Sequence, residues 1–478
     1  MRRHARADVS TVAANAAAVV IEAVDHHKDG GDQLIGSRVE QPRADASYPG
    51  FSLPLVGWAA GRDSPARSVR VLCFGEVLWE IPVDVSRPKD KVVKRSGTNR
   101  LGFRTMVGAF RLPRQFQIEL RAALEDGQEV TIGEIRGRRD SLAPADPAGS
   151  LRPAIISSPS GRTGTTWAVN LLGHHPEAVA YPPFGVEPRP AAYWLEAMSA
   201  LAEPAAYMRS LRPRRGTETW WLGDAKTARE PVPDDRTAAY LANDSVKTLL
   251  GFARERTESF YRMVAEVQGK QPSTFVEKAP YGRVRRAAIA DLFPGMRELV
   301  LFRDPRDTLS SIMAYSERNP NARLAGGVKE LEARVDALAT SYLGMIGELP
   351  ELDRSIPILY EDLIRNPAET LSHMLRHLDL DSSEEAVLST LSAATEDGVP
   401  DRHRTTKNPA KSIGRWERDL RPPIRDLANE RFAEVLRALG YVGGGTSTAA
   451  FPAAVEVAAA DAPGRDAPSD AAAEAPAK

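Results

Sequence analysis

A short apolar run, Ala154-Ile-Ile-Ser157, leads into Ser158-Pro-Ser-Gly-Arg-Thr-Gly-Thr-Thr-Trp167, and a helical pattern from Thr166 to Leu172 follows without a break. Such a strand-turn-helix unit belongs in a parallel sheet covered by helices. Gly161 and Gly164 allow close backbone approach, and amides exposed at a helix start point at an anion. Thr165 and Thr166 add hydroxyl donors, and Arg162 supplies a full positive charge. The pattern of nucleotide-hydrolysing loops requires lysine and then serine or threonine after the last glycine. Thr165 follows Gly164, so that rule fails. A Gly/Ser/Thr turn ahead of a helix is otherwise a common capping loop.

A second motif lies downstream. Arg303 stands at the carboxyl end of an expected strand, Glu298-Leu-Val-Leu-Phe302, and Asp304-Pro-Arg-Asp307 turns the chain into a helix containing Ser311. Ligands of open α/β sheets bind at such strand ends. The spacing brings a guanidinium fork and a hydroxyl about two helical turns apart toward one anion. In the bland alternative, Arg303 pairs with Asp304 or Asp307 and Ser311 is an ordinary helical serine.

Ile356-Pro-Ile-Leu-Tyr360 repeats the strand-then-helix order, so the fold class expected from Pro153 onward is α/β, a parallel β-sheet flanked by helices. Before it, Val69–Cys73, Val77–Ile81, Phe116–Leu120 and Glu129–Ile135 are β-type runs, with Asp126-Gly127 as a hairpin signal. They predict a small all-β sandwich over 46–140. Residues 1–45 read as a flexible arm with at most one short helix, 141–152 as a linker, 153–442 as the α/β domain, and 443–478 as a disordered Ala/Pro/Asp-rich tail.

Lysine plus arginine number 63 against 64 for aspartate plus glutamate, so there is no overall positive field for nucleic acid, and any anion site is local. The single cysteine, Cys73, forms no intrachain disulfide and no thiolate metal cage. The run Ala13–Val20 is broken by Glu22 and Asp25, lacks the core of a secretory signal, and nothing later reaches membrane-spanning length. A cytoplasmic location without a membrane span is expected.

Gly161-Arg-Thr-Gly-Thr-Thr-Trp167 resembles the 5′-phosphosulfate loop of the sulfotransferase superfamily that uses 3′-phosphoadenosine 5′-phosphosulfate (PAPS). Leu299-Val-Leu-Phe-Arg-Asp-Pro-Arg-Asp-Thr-Leu-Ser-Ser311 resembles its 3′-phosphate segment. Val276-Glu-Lys-Ala-Pro280, Leu292-Phe-Pro294, Tyr360-Glu-Asp-Leu363 and Ser412-Ile-Gly-Arg-Trp416 follow in the family's usual order. The resemblance covers roughly Pro153 to Val442 and implies the P-loop-like sulfotransferase fold. It implies that Arg162, Thr163, Gly164, Thr165 and Thr166 hold the 5′-phosphosulfate, that Arg303 and Ser311 hold the 3′-phosphate, and that Trp167 and Tyr360 flank the adenine. Arg404, Lys407, Lys411 and Arg415 surround Ser412-Ile-Gly414 as a basic segment able to close over a nucleotide phosphate, a charge run being otherwise a solvated face. A sulfuryl group carries less charge than a phosphoryl group, so arginine and hydroxyl donors suffice without a metal. Many members have lysine where Arg162 stands, while arginine is familiar in glycan-, protein- and bacterial-type branches.

A hydroxyl acceptor needs a base. Glu187, in Phe184-Gly-Val-Glu-Pro-Arg189, follows the His175-Pro176 turn, where glutamate-base branches of the family carry their catalytic carboxylate; a salt bridge to Arg189 is the competing reading. His174, His175 and Glu277 are further candidates. Lys278 is implied by resemblance to contact the sulfuryl group or bridging oxygen. Tandem His174-His175 diverge on a helix end and suit capping better than metal. The acceptor expected is a hydroxyl-bearing molecule of the carbohydrate or glycoconjugate class. An ATP-dependent small-molecule kinase and a nucleotide- or glycan-binding protein with an inactive transferase domain stay open as alternatives.

Overall fold

Alternating burial along short strands organises the N-terminal part of the chain. The computed structural model describes residues 18–441 except 28–30, 49, 88–91, 97, 143–149, 182–187, 203–243, 279–281, 319–327, 350–353 and 398–408. The chain divides into two units, Met1–Pro153 with Pro188–Gly269 and Tyr281–Met296, and Ala154–Glu187 with Lys270–Pro280 and Arg297–Lys478.

In the first unit, one antiparallel sheet runs in the order Ser47–Tyr48, Val19–His26, Glu129–Arg139, Gln115–Leu124, Ala66–Cys73, Glu76–Pro82. A second runs Leu34–Gln41, Ser52–Gly61, Arg100–Gly108, Val85–Ser86. Alternate residues of both sheets, among them Val69, Val71, Leu53, Leu55, Phe103, Ile118 and Leu120, share one core. Each such side chain contributes about 1.5–3 kcal/mol by leaving water.

The segment expected to be an arm differs from that expectation. Val19–His26 and Leu34–Gln41 are strands, and Val19 and Ile21 are fully buried. The reason is cross-strand pairing: Val19 faces Arg139 and Val24 faces Ile135, so a strand more than a hundred residues away supplies the hydrogen bonds and cover. The expected tail, 443–478, lies outside the described residues.

Helices Pro190–Ala202, Ser245–Val267 and Arg283–Leu292 also belong to the first unit. Asp291, on the last of them, accepts hydrogen bonds from Arg114 Nε and Arg139 Nη1, each at 2.6 Å, from the Leu142 amide at 2.9 Å and from the Ser141 hydroxyl at 3.1 Å. Burial alone would raise its carboxyl. The Arg139 charge and hydrogen bond, the Leu142 amide and Arg114 outweigh burial and hold it below the usual range.

The second unit is built on a five-stranded sheet in the order Ala178–Ala180, Thr274–Lys278, Arg152–Ser157, Arg297–Phe302, Ser355–Leu359. Pairing is parallel, with Ile156 opposite Leu299 and Leu301 opposite Ile358. Leu299 and Leu301 face one apolar cluster with Leu172, Ile358 and Leu371; Val300 and Phe302 face another with Leu309, Tyr342 and Phe432. Both faces are covered, which explains the unbroken apolar runs. The expected α/β architecture, a parallel sheet with flanking helices after an antiparallel β region, is the one observed.

Candidate active site

The loop after strand Arg152–Ser157 is tied down by two of its own side chains and by Ser341 from a distant helix. Ser158 Oγ and Thr163 Oγ1 both donate to Ser160 O, at 2.8 and 3.2 Å, and Ser341 Oγ donates to Pro159 O at 2.6 Å. Arg162 and Gly164 take positive φ values of 74° and 104°, which turn the chain into helix Thr165–Gly173. Thr163 is fully buried, and its hydroxyl is spent on Ser160 O. Thr165 is buried at the helix start and Thr166 is half-buried. Trp167 packs against the core cluster that includes Ile156 and Leu172, and its indole Nε1 is buried without a hydrogen-bond partner among the described residues.

The second motif meets this loop. Arg303 ends its strand, is buried, and donates from Nη1 to Arg162 O at 3.1 Å and from Nη2 to Ser412 O at 2.6 Å. Its guanidinium lies over the Tyr360 ring, 4.7 Å from the centroid, and its Nε is buried with no partner among the described residues. Ser311 is buried, and its Oγ accepts from Arg162 Nε at 3.4 Å, a long contact. The two motifs, 149 positions apart in the Arg162–Ser311 pair, thus converge at the carboxyl edge of the parallel sheet. The bland pairing of Arg303 with Asp304 or Asp307 is not formed. Asp304 holds Arg306 instead, with contacts at 2.7 and 3.0 Å, and Asp307 accepts the Gly414 and Trp416 amides at 2.7 and 3.0 Å.

Tyr360 opens helix Tyr360–Arg365, and its hydroxyl pairs with Ser412 Oγ at 3.0 Å. Ser412 is buried, and its hydroxyl also bonds Pro409 O. Lys411 is exposed, while Arg415 is buried against Asp419 at 2.7 Å. Arg404 and Lys407 lie outside the described residues.

Charge is concentrated here. Burial holds the Arg162 guanidinium below its ordinary value; Tyr315, whose ring lies 4.8 Å away, works against this, and the like charges of Arg303 and Arg415 add to it. Clustered guanidiniums and an orphaned Arg303 Nε suit an anion with several oxygens. Burial pushes the Asp307 carboxyl up to about 6 against the pull of Arg303. It pushes Glu361 up to about 7, although Tyr441 donates to that carboxylate at 2.6 Å and the Asp304 amide at 3.1 Å. Nothing in sequence marks Asp307 and Glu361 apart, because their partners Gly414, Trp416 and Tyr441 are 80 or more residues away.

Among the base candidates, Glu187 lies outside the described residues. Glu277 is buried on strand Thr274–Lys278, and Lys278, at the carboxyl end of that strand, is half-buried. His174 caps helix Thr165–Gly173. His175 is fully buried, accepts the Glu177 amide on Nδ1 at 3.2 Å and donates from Nε2 to Asp381 O at 2.9 Å, a structural pairing. Lys270 donates its ammonium to the carbonyls of Gly173, His175 and Ala178. Among the described residues no group of three or more His, Cys, Asp or Glu side chains is placed to hold a metal ion, and no helix is long and apolar enough to cross a membrane.

The model of the family described as "Sulfotransferase family" matches residues 155–384. Among solved structures, the sulfotransferase from Alicyclobacillus acidocaldarius is similar at 15% identity, over 65% of this chain and 96% of its own, with a TM-score of 0.33. The sulfotransferase domain of the Synechococcus olefin synthase is similar at 19% identity, over 61% and 98%, with a TM-score of 0.33. A mouse sulfotransferase complexed with PAP is similar at 13% identity, over 61% and 86%, with a TM-score of 0.32. No curated protein matches the sequence. The family match spans both the Arg162 loop and the Arg303–Ser311 segment, so over residues 155–384 the chain is similar to the sulfotransferase family.

Proposed function

We propose that the chain transfers a sulfuryl group from PAPS to a hydroxyl of a carbohydrate or glycoconjugate. The observation that carries this reading is the convergence of Arg162, Ser311 and Arg303 at one sheet edge, where two anion-binding motifs serve one elongated ligand. Arg162, the Thr165 and Thr166 hydroxyls, and the amides of Thr163 and Gly164 bind the 5′-phosphosulfate; Arg303 and Ser311 bind the 3′-phosphate. Ser412, Lys411 and Arg415 border the same phosphate, and Trp167 and Tyr360 flank the base. The carbohydrate class is supported by arginine, rather than lysine, at position 162.

PAPS supplies the activated sulfuryl group. A bond forms from the acceptor oxygen to sulfur as the bond from sulfur to the bisphosphate oxygen breaks, in line. Glu187 takes the hydroxyl proton, while Arg162, Thr165, Thr166 and Lys278 face the charge that grows on the leaving oxygen. Calorimetry tests the donor: adenosine 3′,5′-bisphosphate binds far more tightly than magnesium-ATP if the reading holds, and the reverse preference identifies a kinase. Incubation with labelled PAPS and a panel of glycans, lipids, proteins and small alcohols tests the acceptor. Labelling confined to a non-carbohydrate class rejects that part of the reading, and binding without labelling of any class leaves a nucleotide-binding protein.

A further inference from the structure

The first unit holds a basic cleft of its own, with a volume of about 530 Å³, inside the range of about 300–1,000 Å³ common to small-molecule sites. Arg38, Arg43, Arg104 and His26 line it, and Glu40 is the carboxylate on its wall. Glu40 is already committed: its two oxygens take Arg87, at 2.7 and 3.1 Å. Among the described residues, no hydrogen bond or ion pair reaches the side chains of Arg38, Arg43 or Arg104, and Arg104 Nε is closed off from solvent. Elsewhere on the same sandwich, Arg70 is matched by Glu129 and Arg121 by Glu119. Three like charges around one concavity raise each other's energy, and an oxyanion between them removes that penalty.

The strand register sets the spacing. Arg38 pairs with Trp58 and Arg104 with Val56, on opposite sides of strand Ser52–Gly61. Trp58 and Val56 are two residues apart on that strand, so the two arginines share a face and lie roughly 10 Å apart across the sheet. Guanidinium forks match carboxylate, sulfate and phosphate oxygens alike.

We propose that this cleft is a binding site for a small polyanion, about the size of a disaccharide and carrying two or more carboxylate, sulfate or phosphate groups, held by Arg38, Arg43 and Arg104. The site stands apart from the transfer chemistry and does not depend on the donor assignment.

Calorimetry on the full chain at low salt tests it, with four probes: a trisulfated disaccharide, a disaccharide of two uronic acids, a neutral disaccharide and inorganic phosphate. Saturating adenosine 3′,5′-bisphosphate is included in a parallel series, and its own affinity is measured separately, so failure of the donor reading registers on a different readout. Binding of a charged disaccharide that weakens as salt rises, with no binding of the neutral one, supports the site. Arg38 and Arg43 are exposed, so the double variant R38E/R43E should melt as the parent does and bind the charged disaccharide roughly tenfold or more weakly, with unchanged affinity for the bisphosphate. Arg104→Ala should weaken it as well. The proposal is overturned if no charged probe binds, if R38E/R43E binds as the parent does, or if inorganic phosphate binds as tightly as the disaccharides.

Discussion

Replacing Gly164 by alanine sets a methyl group 2.4 Å from Tyr360 Cδ2 and 2.7 Å from Cε2, on a residue whose φ is 104°. Two effects add. An L-residue held at that φ costs about 1–2 kcal/mol. The Tyr360 ring must then move, and it is not free to do so: its hydroxyl pairs with Ser412 at 3.0 Å and Arg303 lies over its face. Losing the hydrogen bond costs about 1 kcal/mol and losing the cation–π contact about 1 kcal/mol more. Together these predict a loss of roughly 3 kcal/mol, or a melting temperature lower by roughly 10 °C. Urea and thermal unfolding measure the loss, and calorimetry with adenosine 3′,5′-bisphosphate measures the displaced Arg303, with a tenfold or greater weakening expected. Gly161 supplies the control, since a Cβ there meets nothing within 4 Å and its φ is not positive. Gly161→Ala should fall within about 0.5 kcal/mol of the parent in stability. The steric reasoning is refuted if Gly164→Ala melts with the parent, or if Gly161→Ala is destabilised as much.

Asp291→Ala leaves the buried Arg139 guanidinium without its counter-charge and should destabilise the first unit by about 3–5 kcal/mol in denaturant unfolding; a change under about 1 kcal/mol would show that the network is incidental. Glu187→Gln should leave bisphosphate binding nearly intact and suppress sulfuryl transfer in a labelled-PAPS assay, and unchanged turnover would reject that base. Glu361 and Asp307, raised to about 7 and about 6, hold protons more tightly folded than unfolded. Their contribution is therefore favourable at low pH and declines as pH climbs from about 4 to about 7, by up to about 1.4 kcal/mol per pH unit for each group. His377, lowered by burial, works in the opposite sense, so the test is the difference between parent and Glu361→Gln in melting temperature across pH 4.5–7.5. Identical slopes would refute the assignment.

What sequence alone disclosed depended on whether a feature was local. Strand Arg297–Phe302 announced itself because both of its faces are buried, and Arg303 and Ser311 could be paired because a turn and a helix fix their spacing. Strand Ala178–Ala180, three residues long, carries no periodicity of its own and exists through its pairing with Thr274–Val276. Val19–His26 was hidden by an alanine-rich approach and by charges at Glu22 and Asp25 that point away from the core. The reach of Arg303 to Ser412 O, and of Asp307 to the Gly414 and Trp416 amides, joins segments about a hundred residues apart, which no window of sequence displays. Thr163 was assigned as a ligand donor by position, and only the folded loop reveals that its hydroxyl is turned inward.

Lys270 gives the helix behind Arg162 a lopsided electrical character. With an ammonium on the Gly173 carbonyl at its far end, and on the His175 and Ala178 carbonyls beyond it, the negative pole of a helix only about 14 Å long is partly offset, while its positive pole at Thr165 has no such counter-charge bonded to it among the described residues. A short helix whose two poles would otherwise partly cancel at close range therefore presents a less opposed positive field toward the sheet edge. An amino group remote from the reacting atoms is in this way enlisted to tune how strongly that edge attracts negative charge.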